Sequence, residues 1–375
     1  MILYISKEID DNIGARLHQR AIRNIIGEKE VFTIYLSPTI KQVKQTNYIS
    51  YGKYKNKTER IRRWLQGNMM FISNGIIDEL CNIIKDNNIK TVFIEDSVFG
   101  NFVKKVKSIF PDVRIISFYH DIKANLYRQW NKKSNFIGKI ENNIGIRQEN
   151  INQKFCDINL VFNQRDADLF HSIYGKYPEG IVPLPAPIPQ LDEEYMDGIS
   201  EKSQKKVLLF VGKKYYPNIV GIEWFYKNVL PRLDDNFEFQ IVGRGLEYLR
   251  DELTDPHVNV IGEVDSLDAY YKNADIVIAP LFDGGGMKSK TVEAVSFGKT
   301  FVGTAESLFG FWEEMGDSIK GKSVYMCNTP EDWINTLNFL INNKIQKFNS
   351  ELFDLFVQKF SYEAIREQLK KYLIN

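Results

Sequence analysis

The chain has 375 residues, 43% of them apolar and 13% aromatic. That describes a folded protein too long for one comfortable core, so two domains are expected. No apolar run approaches the roughly 18 residues needed to span a bilayer, and the opening MILYISKEIDD reads as a buried strand rather than a secretory leader. Three widely spaced cysteines (Cys81, Cys156 and Cys327) argue against a disulfide framework and for a reducing compartment.

The net charge of +1 hides an uneven distribution. Residues 1–185 hold 28 Lys and Arg against 19 Asp and Glu, and residues 186–375 hold 21 against 29. The two halves therefore either serve different partners or attract one another. In the first half, β-branched and aromatic runs at 2–5, 31–36, 91–94, 114–119 and 158–162 predict strands. Between them, stretches 15–26, 75–87, 98–110 and 166–174 carry apolar residues at helical spacing. Strands alternating with helices imply parallel βαβ units. Pro183, Pro185, Pro187 and Pro189 then interrupt the pattern, and a polar stretch follows, which reads as a linker. The alternation restarts with strands at 207–212, 237–243, 258–262, 275–280 and 300–304 and helices at 222–233, 267–273 and 290–297. The tail 361–373 is a helix with Ser361 as its N-cap. Two doubly wound domains place ligands at the carboxyl ends of their strands.

The most informative segment is APLFDGGGMKSKTVEAVSFG, residues 279–298. A buried strand ends at Pro280, glycines follow at 284–286, and a helix starts near Lys288. Glycines let backbone approach a ligand, and the N–H groups of a helix start favour an anion such as a diphosphate. Lys288 and Lys290 add positive charge there. Glu293, one turn further on, is placed to accept hydrogen bonds from sugar hydroxyls. Metal chemistry finds no support, since His18, His120, His171 and His257 are scattered with no partner at ligand spacing. Asp166-Ala-Asp168 sits in a helical pattern and reads as structural. There is no P-loop and no nucleophile elbow.

This segment resembles the donor-binding motif of the GT-B-fold glycosyltransferases, in particular the family 4-like group (glycosyl transferases group 1). The resemblance extends over FVGKKYYPNIVGIEWFYKNVLPRL, FQIVGRG, VNVIGEVDSLDAYYKNADIVIAPL and GKTFVGT. It is weaker over ISFYHDIKANLYRQW and QRDADLF in the first half. It implies two Rossmann-like domains facing a cleft, with a C-terminal helix crossing back to the first. The acceptor domain would be 1–188, the linker 189–205, the donor domain 206–355 and the crossover helix 356–375. It also implies that Glu293 binds the ribose, and that Gly285, Gly286 and Met287 offer amides to the donor. Lys288 and Lys213 would neutralise the leaving diphosphate, with Lys290 beside them. His120 would face the transferred sugar, and Gly14 would lie near the donor phosphate or acceptor. Arg244 either lines the cleft or serves a structural turn. Two positions depart from the pattern. Gly285 stands where many relatives have a second acid, with Asp283 two residues earlier as a substitute, and Asn218 stands where a second basic residue is usual.

The function implied is transfer of a hexose from a UDP- or GDP-sugar to a hydroxyl of a glycan, lipid-linked or protein-linked acceptor. Configuration would be retained and no metal or other cofactor used, in cytoplasmic synthesis of bacterial surface polysaccharide or glycoconjugate. No nucleic-acid partner is expected. A nucleotide-sugar epimerase of the same fold and an inactive partner subunit are the alternatives. Single residues have plainer readings as well: His120 as a packed strand-end residue, Lys213 and Lys214 as a solvated pair, and Lys290 as a surface lysine. The basic runs Lys53, Lys55, Lys57, Arg60, Arg62, Arg63 and Lys104, Lys105, Lys107 suggest either contact with anionic lipid at the inner face of the plasma membrane or a solvated face.

Overall fold

The computed structural model describes residues 1–7, 22, 31–37, 43–45, 48–52, 54–69, 71–197, 205–284 and 286–373. The chain divides into two compact units. The first spans Met1–Pro183 together with the chain end from Arg366, and the second spans Leu184–Ile365.

The first unit is built on a sheet whose described strands are β1 (Ile2–Lys7), β2 (Val31–Ser37), β3 (Val43–Gln45), β4 (Tyr48–Gly52), β5 (Thr91–Ile94), β6 (Arg114–Tyr119), β7 (Ile158–Val161) and β8 (Gly180–Ile181). Their order is β3-β4-β2-β1-β5-β6-β7-β8, parallel except for β3 against β4. The central strands are mainly apolar and buried beyond their first residue, as a sheet covered on both faces requires. Leu3, Ile5, Ile34, Val92 and Ile115 pack against Ile77, Leu80 and Ile84 of helix Asn74–Asp86 and against Phe102, Val103 and Val106 of helix Gly100–Ile109. The stretch 15–26 lies outside the described residues apart from Ile22. Asn163 caps the helix that carries Asp166, its Oδ1 accepting from Asp166 N–H at 2.9 Å while its Nδ2 donates to the Asp166 carboxylate at 2.9 Å, so Asp166 braces the cap and reads as structural.

The second unit carries β9 (Lys206–Val211), β10 (Phe237–Val242), β11 (Val258–Gly262), β12 (Ile276–Ala279), β13 (Thr300–Gly303) and β14 (Val324–Met326) in the order β11-β10-β9-β12-β13-β14, all parallel. The chain runs outward from β9 through β10 to β11 and then crosses to the other side for β12, β13 and β14. This is the doubly wound order with its switch point between β9 and β12. The tail helix is Tyr362–Leu373, and Ser361 Oγ accepts from Ala364 N–H at 3.1 Å as its cap.

The division between units falls at Pro183–Leu184, not at 188, and the stretch drawn as a linker is partly docked. Ala186 N–H donates to Phe360 O at 2.9 Å. Within the short helix Glu193–Met196, Tyr195 Oη donates to Phe297 O at 2.8 Å. The Tyr195 ring covers the ammonium of Lys299, 4.8 Å from its centroid. That buried ammonium donates to the carbonyls of Lys272, Ala274 and Lys347 at 3.0, 2.8 and 2.9 Å.

Candidate active site

The carboxyl ends of β9, β10 and β12 bring most of the expected donor residues together. Three glycines set the approach distances. Gly243 follows β10 at φ +145°, and a Cβ there would lie 1.8 Å from the carbonyl oxygen of Gly212 after β9. Gly221, in helix Tyr216–Asn228, would place a Cβ 2.2 Å from Pro280 O, so that helix lies directly against the turn after β12. Gly284 has φ +127°, a backbone state open in practice only to glycine.

Helix Ser289–Ser296 starts from this turn. Its N-cap is Lys288, whose side chain cannot accept from the first-turn N–H groups. Lys288 Nζ instead donates to Gly286 O at 3.0 Å and pairs with Glu306 Oε1 at 2.7 Å. Lys290 is buried and not a surface residue. Its Nζ donates to Asn218 Oδ1 at 2.7 Å and lies 4.1 Å from the centre of the Phe210 ring. Asn218 Nδ2 in turn donates to Lys213 O at 2.9 Å, so one amide ties Lys290 to the turn after β9. Burial, and next the charge of Lys288, pull Lys290 down to about 7. Lys213 is shifted in the same direction, by burial and then by Arg244.

Glu293 faces the same region from one turn into the helix. Its Oε2 accepts from Tyr271 Oη at 2.8 Å, and the fully buried Tyr271 ring stacks on Phe297 at 5.1 Å. Burial raises the Glu293 carboxyl to about 7 against the opposing Tyr271 hydrogen bond and Lys290 charge. Asp283 is exposed, and its carboxylate accepts from the N–H of Gly284 at 2.7 Å. Met287 is buried, its sulfur accepting from Leu184 N–H at 3.5 Å. Arg244 is exposed at the end of β10. Gly14 and Gly285 lie outside the described residues.

In the first unit, His120 follows β6. Its Nε2 is 2.8 Å from Glu95 Oε2, and the ring meets Phe118 and Phe162 edge-on at 5.7 and 5.2 Å. Four side chains of the basic runs form ion pairs: Arg60 with Glu141, Arg63 with Glu59, Lys105 with Asp78, and Lys107 with Asp157. Lys53 lies outside the described residues. Four partners were not singled out from the sequence. Glu306, Tyr271 and Glu95 carry no motif of their own, and Asn218 was visible only as a departure from a basic residue.

The second unit's sheet of order 3-2-1-4-5-6, with cationic groups at its switch point, and the first unit's mostly parallel sheet are those of the GT-B fold. Residues 205–343, which lie within the second unit, match the family model described as glycosyl transferases group 1. Solved structures agree along the whole chain. A lipopolysaccharide outer core galactosyltransferase, WaaB, in its apo form is 13% identical, with 100% of this chain and 99% of that one covered and a TM-score of 0.68. HepE of Anabaena in complex with UDP and glucose is 11% identical over 99% and 98%, TM-score 0.68. WaaG, a glycosyltransferase involved in lipopolysaccharide biosynthesis, is 14% identical over 100% of both chains, TM-score 0.64. No curated protein matches the sequence.

Proposed function

We propose that the chain is a retaining glycosyltransferase that moves a hexose from a UDP- or GDP-sugar to an acceptor hydroxyl. The acceptor is a glycan, a lipid-linked or a protein-linked molecule in bacterial surface polysaccharide or glycoconjugate synthesis. The observation that carries this reading is the convergence of Lys288, Lys290 and Glu293 at one helix start beside the β9–β12 switch point. HepE, of the same fold, is a complex with UDP and glucose, and WaaB is a galactosyltransferase.

In this mechanism Glu293 holds the ribose hydroxyls, and Tyr271 fixes the carboxylate that does so. Gly285, Gly286 and Met287 present backbone N–H groups to the donor. Lys288 and Lys213, with the helix start, stabilise the negative charge that grows on the diphosphate as the glycosidic bond breaks. Lys290 adds a cation whose solvation is already lost, so little reorganisation accompanies the reaction. The donor's own approach displaces Lys288 from Glu306. His120 and Gly14 serve the sugar and acceptor side, and Arg244 borders the phosphates. Lysines and a helix dipole supply the positive charge that a divalent ion provides elsewhere, so the reading requires no metal.

Contact with anionic lipid is part of the proposal, and it rests on a different patch from the basic runs. Leu65 and Phe136 are 85% and 79% exposed, and Trp130 and Ile137 are exposed beside Lys132 and Lys133. Leu65 shares a cavity of about 450 Å³ with Ile140 and Ile144, one and two turns along the helix from Phe136. Apolar tips ringed by lysine suit a membrane interface. Retention on anionic but not neutral liposomes at low salt checks this, and loss of that difference would remove the membrane from the account.

The test of the activity is incubation with a panel of nucleotide sugars, following nucleotide release with and without chelator. Turnover that survives chelation is expected, and Glu293→Ala is expected to weaken donor binding at least about tenfold. No release from any donor and acceptor combination would overturn the transferase, and unaltered donor affinity in Glu293→Ala would overturn the ribose assignment.

A further inference from the structure

Three neighbouring strands of the first sheet each end on a residue of one small cluster. Glu95 follows β5, His120 follows β6 and Phe162 follows β7. Glu95 is pinned from behind, its N–H donating to Ile5 O of β1 at 2.8 Å. Its side chain is 1% exposed while that of His120 is 28% exposed, so the carboxylate lies beneath the ring and the ring faces outward. Phe118 and Phe162, themselves 4.8 Å apart, flank the imidazole and restrict its rotation. Asp96, next in the chain, is directed elsewhere: it pairs with Lys123 and accepts from Ser97 N–H at 2.6 Å and Val98 N–H at 3.3 Å.

We propose that Glu95 is a positioning residue for His120, holding the imidazole by its Nε2–H and thereby fixing the tautomer in which Nδ1 carries no proton. A neutral imidazole has one donor and one acceptor nitrogen, and a carboxylate can only accept, so the nitrogen facing it bears the proton. Glu95 thus decides which hydrogen-bonding character His120 offers to whatever group it meets. That group is a hydrogen-bond donor, such as a sugar or acceptor hydroxyl. Its part in turnover rests on the transferase reading, whereas the tautomer does not.

The experiment uses the full chain labelled with ¹⁵N histidine, alone and as Glu95→Gln, Glu95→Ala and His120→Ala. The last variant assigns the His120 signals among the four histidines. The remaining charged groups of the adjoining loops and helices, Asp96, Asp121, Lys123 and Glu149, are left intact in all variants. The parent is expected to show His120 protonated at Nε2 and bare at Nδ1. Glu95→Ala should give a mixture of tautomers, and Glu95→Gln, whose amide oxygen still accepts, should partly restore the parent pattern. With a donor that is turned over, Glu95→Ala should lower kcat at least about tenfold with KM for the donor little changed. The Glu95→Ala/His120→Ala double variant should be no slower than His120→Ala. A parent ring protonated at Nδ1, or one whose tautomer does not respond to Glu95→Ala, overturns the proposal. So does a Glu95→Ala kcat equal to the parent's. If no nucleotide sugar is turned over, the transferase reading fails while the spectra still decide the tautomer.

Discussion

Lys290→Met should make the protein more stable at neutral pH while weakening its grip on nucleotide. An unfolded lysine titrates at 10.5, and Lys290 in the fold at about 7. Between those values the unfolded chain holds more protons than the folded one, so this group's contribution makes stability rise with pH from about 7 to 10.5. The penalty for burying it is about 4 kcal/mol at pH 7 and about 2 kcal/mol at pH 9. Methionine fills nearly the same volume without the charge, but it orphans Asn218 Oδ1, which costs about 1–3 kcal/mol, and it removes the cation that helps Glu293 ionise. The expected balance is a gain of about 1–2 kcal/mol at pH 7 that vanishes or reverses by pH 9. Urea titrations of parent and variant at both pH values measure it. Calorimetry with UDP and GDP should show affinity at least about tenfold lower in the variant. A variant less stable than the parent by the same amount at both pH values would refute the reasoning, because a solvated ammonium behaves that way.

Four further outcomes are expected. Gly243→Ala puts a Cβ 1.8 Å from Gly212 O at φ +145° and should cost on the order of 3 kcal/mol or more. Gly175→Ala, at φ +74° with open space around it, should cost about 1 kcal/mol in the same denaturation series. The buried Glu149 carboxyl is raised to about 8 by burial, so parent stability should fall as pH rises from 4.5 to about 8, and Glu149→Gln should flatten that fall. Glu306→Gln removes the carboxylate that competes with phosphate for Lys288 and should tighten UDP or GDP binding several-fold, read by calorimetry at low salt.

The second unit was readable because its strands are short, largely buried apolar runs, and all five expected ones coincide with observed strands to within a residue at each end. Helix Phe136–Phe155 escaped notice for a physical reason. The side it buries carries Asn142, Gln148, Glu149, Asn152 and Gln153, so the apolar periodicity that announces a helix is missing. The edge strands β3, β8 and β14 have two or three residues each, too few to show alternation. At the site, sequence spacing placed Lys288, Lys290 and Glu293 on one helix start but could not say which way that helix turns. Lys290 therefore read equally well as a surface residue. Glu95 and His120 are 25 residues apart and meet only because β5 and β6 are neighbours, a pairing fixed by the whole sheet. Spacing could not show either that Glu141, Asp78 and Asp157 reach the basic runs from distant segments.

The Lys299 ammonium bears on where this polypeptide can be cut. Its three carbonyl partners lie in the body of the second unit, but the ring that closes over it belongs to Tyr195, well ahead of β9. Burial pulls that lysine down to about 7, so opening its cover would let water reach a charge the interior now suppresses. A recombinant fragment of the second unit beginning at Lys206 would expose this spot and lose the Tyr195 anchor. One beginning at Leu184 would retain both, so a crystallisation or screening fragment of the second unit should start there.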